Sequence, residues 1–148
     1  MPGPWEKDRL TLSSGQVTHL ERGLRLEDGA ELSYTDGSGT LGWGIWDGGA
    51  VIRDQSSEAD EARPSSLVMA VAPPTSRERV RFLVEKLGEL GVEKLAWLAT
   101  THGGRRIPKR DKLQAWAVSA LEQSRGAWLM EISSKFVEWD ELEGPLVV

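Results

Sequence analysis

Five basic side chains lie within eight positions of one another in the segment RRIPKRDK, residues 105–112, which we call the basic segment. They are Arg105, Arg106, Lys109, Arg110 and Lys112. Guanidinium and ammonium groups at this density can contact successive phosphates of a nucleic acid, which gives affinity that does not depend on base sequence. The solvated start of a helix explains the same residues equally well. Both interpretations stay open, and the first predicts a local phosphate-binding segment.

The rest of the composition excludes several kinds of site. With 18 basic and 23 acidic residues the net charge is −5, so no overall basic field attracts nucleic acid and any such binding is local. No cysteine is present, which excludes disulfides, thiolate zinc sites and a cysteine nucleophile, and His19 and His102 are too far apart in sequence to indicate a metal site. A small nucleotide-binding α/β domain is disfavoured because no Gly-x-Gly-x-x-Gly follows a predicted strand.

Hydropathy places the chain outside the membrane. No apolar run approaches the roughly 20 residues that a spanning helix needs, and the start, MPGPWEKDRL, lacks the apolar core of an export signal. We therefore expect a cytoplasmic protein with no membrane partner.

An acidic stretch divides the sequence in two. Residues 54–66, DQSSEADEARPSS, contain no apolar residue larger than alanine and end near a proline, which is typical of a linker. We therefore predict two domains, residues 1–60 and residues 65–148.

Turn signals separate short apolar runs in the first half. Asp-Gly pairs at positions 36–37 and 47–48 stand where hairpins would turn. Three apolar residues alternate between these pairs, as on the buried face of a half-buried strand: Leu41, Trp43 and Ile45. One short helix is predicted between residues 15 and 29, and a small β-barrel is the expected architecture.

Strand and helix patterns alternate in the second half. The run SLVMAVA predicts a buried strand, and Thr75 and Glu78 predict a capping box for a helix that ends at Gly91. The strand KLAWLA, the helix DKLQAWAVSALEQS, the strand WLMEI, the short helix KFVEWDELEG and a final strand PLVV follow. This order predicts a parallel sheet with crossover helices, and it places residues 100–104 at the carboxyl end of a strand, where such sheets bind ligands.

Three segments, HLERGLRLEDGAELSYTDGSG, VEKLGELGVEKLAWLATT and ALEQSRGAWLMEI, together resemble the RsmE family. Members of that family methylate N3 of a uridine in small-subunit (16S) ribosomal RNA with S-adenosylmethionine. The resemblance extends from about residue 19 to residue 142, and the motifs occur in the family's order. It implies an α+β and α/β fold: an amino-terminal PUA-like β-barrel that holds RNA, followed by a SPOUT methyltransferase domain with a knot that binds the cofactor.

The resemblance also implies which residues matter. The family motifs fall on a set of polar side chains: His19, Lys86, Glu89, Thr100, Glu122 and Gln123. RNA contacts are expected in the barrel and in the basic segment, at Arg25, Arg105, Arg106, Lys109 and Arg110. Ribosomal RNA is the expected partner, and a homodimer is possible by family. The residues themselves allow plainer roles, because Lys86 and Glu89 can form a charge pair on an exposed helix face and His102 suits a polar surface.

Several departures from the family motifs argue against methyltransferase activity of this chain by itself. The family's Gly-Pro-Glu-Gly-Gly cofactor loop belongs to the part that follows position 148, so we expect an incomplete SPOUT domain that binds S-adenosylmethionine no better than millimolar by itself. The family's loop Thr-Glu-Arg-Ser reads Thr100, Thr101, His102, Gly103 here, which retains the threonine and loses the arginine. In the motif Glu-Gln-x-x-Arg the last position is Gly126, with Arg125 beside it. Two functions therefore remain open: a uridine methyltransferase, and a non-catalytic RNA-binding or partner protein derived from that family.

Overall fold

The structure is a computed structural model that describes residues 8–104 and 106–142. The chain divides into two compact units, Met1–Ala62 and Arg63–Val148. Within the described residues, no helix combines the length and apolar character needed to cross a bilayer.

The first unit is built on one antiparallel sheet. Its elements are β1 (Arg9–Thr11), α1 (Ser14–Thr18), a π-helical turn (His19–Gly23), β2 (Glu31–Thr35), β3 (Thr40–Asp47) and β4 (Ala50–Asp60). The strands lie in the order β1-β4-β3-β2, so β1 and β2 form the edges. No pairing among the described residues closes these edges, and the expected barrel is therefore an open four-stranded sheet.

The inner face of β3 is the opposite of the predicted one. Trp43 is 52% exposed and Ile45 is 40% exposed, whereas Trp46 is only 1% exposed. The alternation was predicted correctly, but the buried face consists of Gly42, Gly44 and Trp46. The close approach of neighbouring strands determines which face is buried. A Cβ at Gly42 would lie 2.7 Å from Cζ of Tyr34, and one at Gly44 would lie 2.5 Å from the carbonyl oxygen of Ile52. Only glycine fits where the neighbouring strands approach so closely.

The predicted linker is also wrong over half its length. Residues 54–60 continue β4, and Ala59 and Asp60 pair with the start of β3 across an irregular register. A partly buried polar cluster accounts for this: the Tyr34 hydroxyl donates to Oε1 of Glu58 at 2.6 Å, and Nε of Arg53 donates to the same oxygen at 2.9 Å. Because Glu58 is anchored inside the unit, the acidic stretch becomes a strand, and only residues 61–67 connect the two units without regular structure.

A short helical segment covers the inner face of the antiparallel sheet. Ser13 caps α1 by accepting from the amide of Gln16, and the Gln16 side chain accepts in return from the Ser13 amide. The predicted single helix is thus α1 plus the π-helical turn, and it ends at Gly23, well before Gly29. Its apolar residues pack against a core of four buried side chains: Leu10, Tyr34, Trp46 and Val51.

The second unit contains a parallel sheet, as predicted. Its elements are β5 (Val68–Val71), α2 (Arg77–Glu89), β6 (Lys94–Leu98), α3 (Arg110–Ser124), β7 (Glu131–Val137) and a 3-10 turn (Trp139–Glu141). The strand order is β5-β6-β7, with both pairs parallel. Side chains of both helices form one core with β6, and its buried members are Val80, Val84, Leu87, Val92, Leu95, Trp97, Leu113, Ala117 and Met130. The central strand is therefore covered by both helices.

Local details differ from the sequence prediction at three places. The cap of α2 is Ser76 without a side-chain hydrogen bond, so the capping box of Thr75 and Glu78 does not form. Strand β7 begins at Glu131 and continues to Val137, through residues predicted to start a helix. Pairing with β6 explains the extension, because Phe136 and Val137 continue the register beyond an irregularity. The predicted strand PLVV lies outside the described residues.

Candidate functional site

The carboxyl edge of the parallel sheet brings together the loops that follow β5 and β6. The amide of Gly104 donates to the carbonyl oxygen of Pro73 at 2.7 Å, and the amide of Gly103 donates to Oγ1 of Thr100 at 2.9 Å. The hydrogen bond to Pro73 therefore holds the loop of residues 100–104 against the segment that follows β5. This is the edge at which open α/β sheets bind ligands.

Both glycines of this loop are needed for the close approach. A Cβ at Gly103 would lie 2.5 Å from Oγ1 of Thr100, and one at Gly104 would lie 2.7 Å from the carbonyl oxygen of Pro73. Any larger residue would push the loop away from β5. Thr100, the residue that the loop shares with the family motif, therefore stabilises the loop through its side chain.

A cleft of about 240 Å³ lies beside the loop of residues 100–104. It is lined by Pro74, Thr75, Gly104 and Arg106, and we call it the Arg106 cleft. A guanidinium and a threonine hydroxyl supply several hydrogen-bond donors, which suits a phosphate oxygen. Sequence reasoning found Arg106 but missed Pro74 and Thr75, although the two prolines that end the apolar run at residues 73 and 74 marked the position.

The basic segment continues from this cleft to the start of α3. Arg106, Lys109, Arg110 and Lys112 are exposed, and Lys109 is the N-cap residue of α3. None of these four side chains forms a salt bridge with another described residue. Arg105 lies outside the described residues. The four placed cations are thus available for an anionic partner, and the predicted phosphate-binding segment overlaps the start of α3.

Two family-motif residues on α2 pair with each other. Nζ of Lys86 lies 2.6 Å from Oε2 of Glu89, one turn along the exposed face. Exposed pairs of this kind stabilise a helix by a few tenths of a kcal/mol, roughly 0.2–0.5. A charge pair on an exposed helix face, the plainer role expected for Lys86 and Glu89, accounts for this geometry.

The remaining sequence-predicted residues are not gathered into one site. Glu122 and Gln123 are exposed in the last turn of α3, where Arg125 in the left-handed conformation ends the helix in place of the predicted Gly126. His19 and Arg25 belong to the first unit, both exposed, and Arg25 also has a left-handed backbone with φ of 52°. A non-glycine residue in that conformation is uncommon. Within the described parts of the chain, no group of three or more metal-ligating side chains occurs.

Two clefts of the second unit do not fit S-adenosylmethionine. The Arg106 cleft and a second cleft of about 260 Å³ are both below the roughly 300–1,000 Å³ of a pocket that encloses a small molecule. Each is lined by arginine, which repels the cofactor's sulfonium cation. We therefore derive no methyl-transfer step from these residues.

Comparison with known families identifies the second unit. Residues 61–142 match the family described as RNA methyltransferase domain. The matched region contains the whole parallel sheet, both helices and the Arg106 cleft. No curated protein sequence matches the chain significantly.

Solved structures share the fold over most of the chain. A probable rRNA methyltransferase from Porphyromonas gingivalis is 29% identical with a TM-score of 0.70, and the match covers 84% of this chain and 54% of that one. A putative methyltransferase from Legionella pneumophila in complex with S-adenosylmethionine is 22% identical, with a TM-score of 0.75 and coverage of 95% and 62%. Ribosomal RNA small subunit methyltransferase E from Neisseria gonorrhoeae, bound to S-adenosylmethionine, is 20% identical, with a TM-score of 0.76 and coverage of 95% and 61%. The chain thus spans little more than half the length of these proteins.

Proposed function

This chain belongs to the RNA methyltransferase domain family, and from that premise we propose that it serves as the RNA-binding part of an RsmE-type enzyme. Such an enzyme methylates N3 of a uridine in small-subunit ribosomal RNA with S-adenosylmethionine, in the cytoplasm. The observation that carries the proposal is the position of the basic segment. From Arg106 onward it lies beside a cleft that suits phosphate, at the edge where open α/β sheets bind ligands, in a chain of net charge −5.

The physical role of the basic segment is to hold the RNA backbone. Arg106 lines the cleft, while Lys109 and Arg110 extend the positive surface along the start of α3. Contacts to phosphate fix the position of the RNA without reading its sequence. We also propose that the first unit is a PUA-like fold that adds a contact through Arg25.

Salt dependence tests this role. Each phosphate contact contributes roughly 0.7 to 0.9 to the slope of log affinity against log salt. Replacing Arg105, Arg106, Lys109 and Arg110 with glutamine should therefore reduce that slope by about 3, measured by fluorescence anisotropy with a fragment of small-subunit ribosomal RNA.

A charge-matched control separates a specific surface from net charge. Four exposed basic residues elsewhere can be replaced in the same way: Arg9, Arg22, Arg79 and Lys135. This control should leave the slope within about 1 of the original. If both quadruple variants lower the slope equally, the basic segment is no special binding surface, and Arg25 becomes the next residue to test.

A non-catalytic RNA-binding or partner protein of the same family is the second candidate. The observation that favours it is His102, which stands where the family has an arginine and is exposed in a loop closed against β5. The described clefts are also too small to enclose the cofactor. Both candidates share RNA binding, and they differ in whether S-adenosylmethionine binds.

A further inference from the structure

A second cleft lies between the two helices of the parallel-sheet unit, apart from every family-motif residue discussed above. Its volume is about 260 Å³, and it is lined by Arg77, Glu78, Arg81 and Trp116; we call it the Trp116 cleft. The first three residues are in the first turns of α2, and Trp116 is on α3. An aromatic ring flanked by arginines and a carboxylate offers a stacking surface, phosphate donors and an acceptor for a base.

The guanidinium of Arg77 lies over the Trp116 ring at the outer limit of a cation–π contact. Cζ of Arg77 lies 5.9 Å from the centroid of the Trp116 ring. Groups in contact are about 3.5 Å apart, so a planar base held between the two needs about 7 Å. Arg77 is exposed and forms no salt bridge with another described residue. Its side chain can therefore move outward by the additional distance of about 1 Å and stack on the other face of the base.

The other two side chains of the cleft supply polar contacts. Nε of Arg81 donates to Oε1 of Glu85 at 2.7 Å, which orients the guanidinium and leaves its terminal nitrogens for a phosphate. The Glu78 carboxylate can accept from an imino or amino group of the base. Stacking, a phosphate donor and a base acceptor thus occur within the dimensions of one nucleotide.

We propose that the Trp116 cleft binds one unpaired nucleotide of RNA, with the base between Trp116 and Arg77 and the adjoining phosphate on Arg81. The inference rests on the proposed function, because it adds a nucleotide site to the RNA surface begun by the basic segment. A base inside a duplex is already stacked on its neighbours, so the site selects single-stranded RNA.

Charge distinguishes this cleft from the basic segment. The two arginines of the cleft are balanced by Glu78 and by Glu85, the ion-pair partner of Arg81. Binding there therefore releases few counterions, and stacking dominates its contribution to affinity. Loss of stacking should weaken RNA binding without changing its salt dependence.

The test compares two substitutions at Trp116 with a labelled single strand of ten uridines. Trp116→Leu removes the aromatic face and should weaken binding at least about fivefold, with the salt slope unchanged. Trp116→Phe keeps an aromatic face and should remain within about twofold of the original. Arg77→Gln should also weaken binding, whereas Arg79→Gln, an exposed residue of α2 outside the cleft, should not.

Stability must be measured alongside affinity, because Trp116 also packs against the core. A Trp116→Leu variant that unfolds at the same temperature as Trp116→Phe and still binds poorly supports the proposal. Equal affinities of the Leu and Phe variants would overturn it, and so would equal competition by duplex RNA. If the original chain binds no RNA at all, this inference and the proposed function both fail. Another outcome is that the basic-segment variant loses affinity and salt slope while the Trp116 and Arg77 variants bind like the original chain. That result overturns the nucleotide site and leaves the proposed function standing.

Discussion

At the scale of single residues, the clearest physical effect is on Tyr34, the only tyrosine of the chain. Burial first, and then the hydrogen bond to Glu58, raise the pKa of its hydroxyl to about 12 against the opposing effect of Arg53. Arg53 and Glu58 form the ion pair to which the hydroxyl donates. Removing the proton would leave a phenolate beside a carboxylate, which is why the folded unit retains it.

The Tyr34 titration gives a prediction with a definite sign. The folded pKa of about 12 is above the ordinary value of 10.0, so the folded state binds the proton more tightly than the unfolded state. The stabilising contribution is complete below pH 10 and is lost as the pH rises toward 12. Ultraviolet absorbance of the phenolate should show this high pKa in the intact chain. Glu58→Gln should lower it, and an unchanged pKa in that variant would mean that Glu58 is not the partner in solution.

At the scale of elements, strand β3 shows how glycine determines which face of a strand is buried. Trp46 fills the space on the inner face, while Gly42 and Gly44 permit the approach of Tyr34 and of β4. The outer face keeps Trp43 and Ile45 in solvent, with Ile52 of β4 opposite Ile45. Large side chains are thus present on both faces, and hydropathy alone does not distinguish them.

Two tryptophan substitutions test this assignment. Trp46→Ala should destabilise the first unit by about 3 to 5 kcal/mol, because it removes a fully buried ring and leaves a cavity. Trp43→Ala should cost about 1 kcal/mol or less, because its ring is already half in water. Urea unfolding followed by circular dichroism measures both. A larger loss from Trp43→Ala than from Trp46→Ala would restore the face that hydropathy predicted.

At the scale of the whole molecule, the 148 residues supply a parallel-sheet unit of an RNA methyltransferase family and a second, antiparallel unit. The sequence contains no Gly-Pro-Glu-Gly-Gly segment of the kind that the RsmE resemblance associates with the cofactor. The Arg106 cleft and the Trp116 cleft are lined by cations and have less volume than a cofactor pocket. We therefore expect binding of RNA and binding of the cofactor to be separable in this chain.

Titration calorimetry with S-adenosylmethionine tests this separation. We expect the purified chain to bind the cofactor no better than millimolar, which is roughly 4 kcal/mol at most. The same sample should bind ribosomal RNA, which shows that it is folded and active in binding. A one-to-one micromolar isotherm would reveal a cofactor site that these residues form in solution, and it would favour the methyltransferase over the non-catalytic candidate.

The sequence by itself determined the order of elements in the second unit. The helical spacing of Val80, Val84 and Leu87 and the left-handed Gly91 after α2 are local signals, and the structure confirms both. The basic segment was equally visible, because it needs only neighbouring residues. The family signal was also in the sequence, since the RNA methyltransferase match is made by residues 61–142 alone.

Tertiary structure decided what depends on distant residues. The buried face of β3 follows from Tyr34 and Ile52, which approach the two glycines from other strands. The continuation of β4 through an acidic stretch follows from Glu58, which forms a partly buried cluster with Tyr34, 24 positions away. The Trp116 cleft exists because α2 and α3 pack side by side. Local pattern cannot report these features, since each depends on a contact between residues that are far apart in the chain.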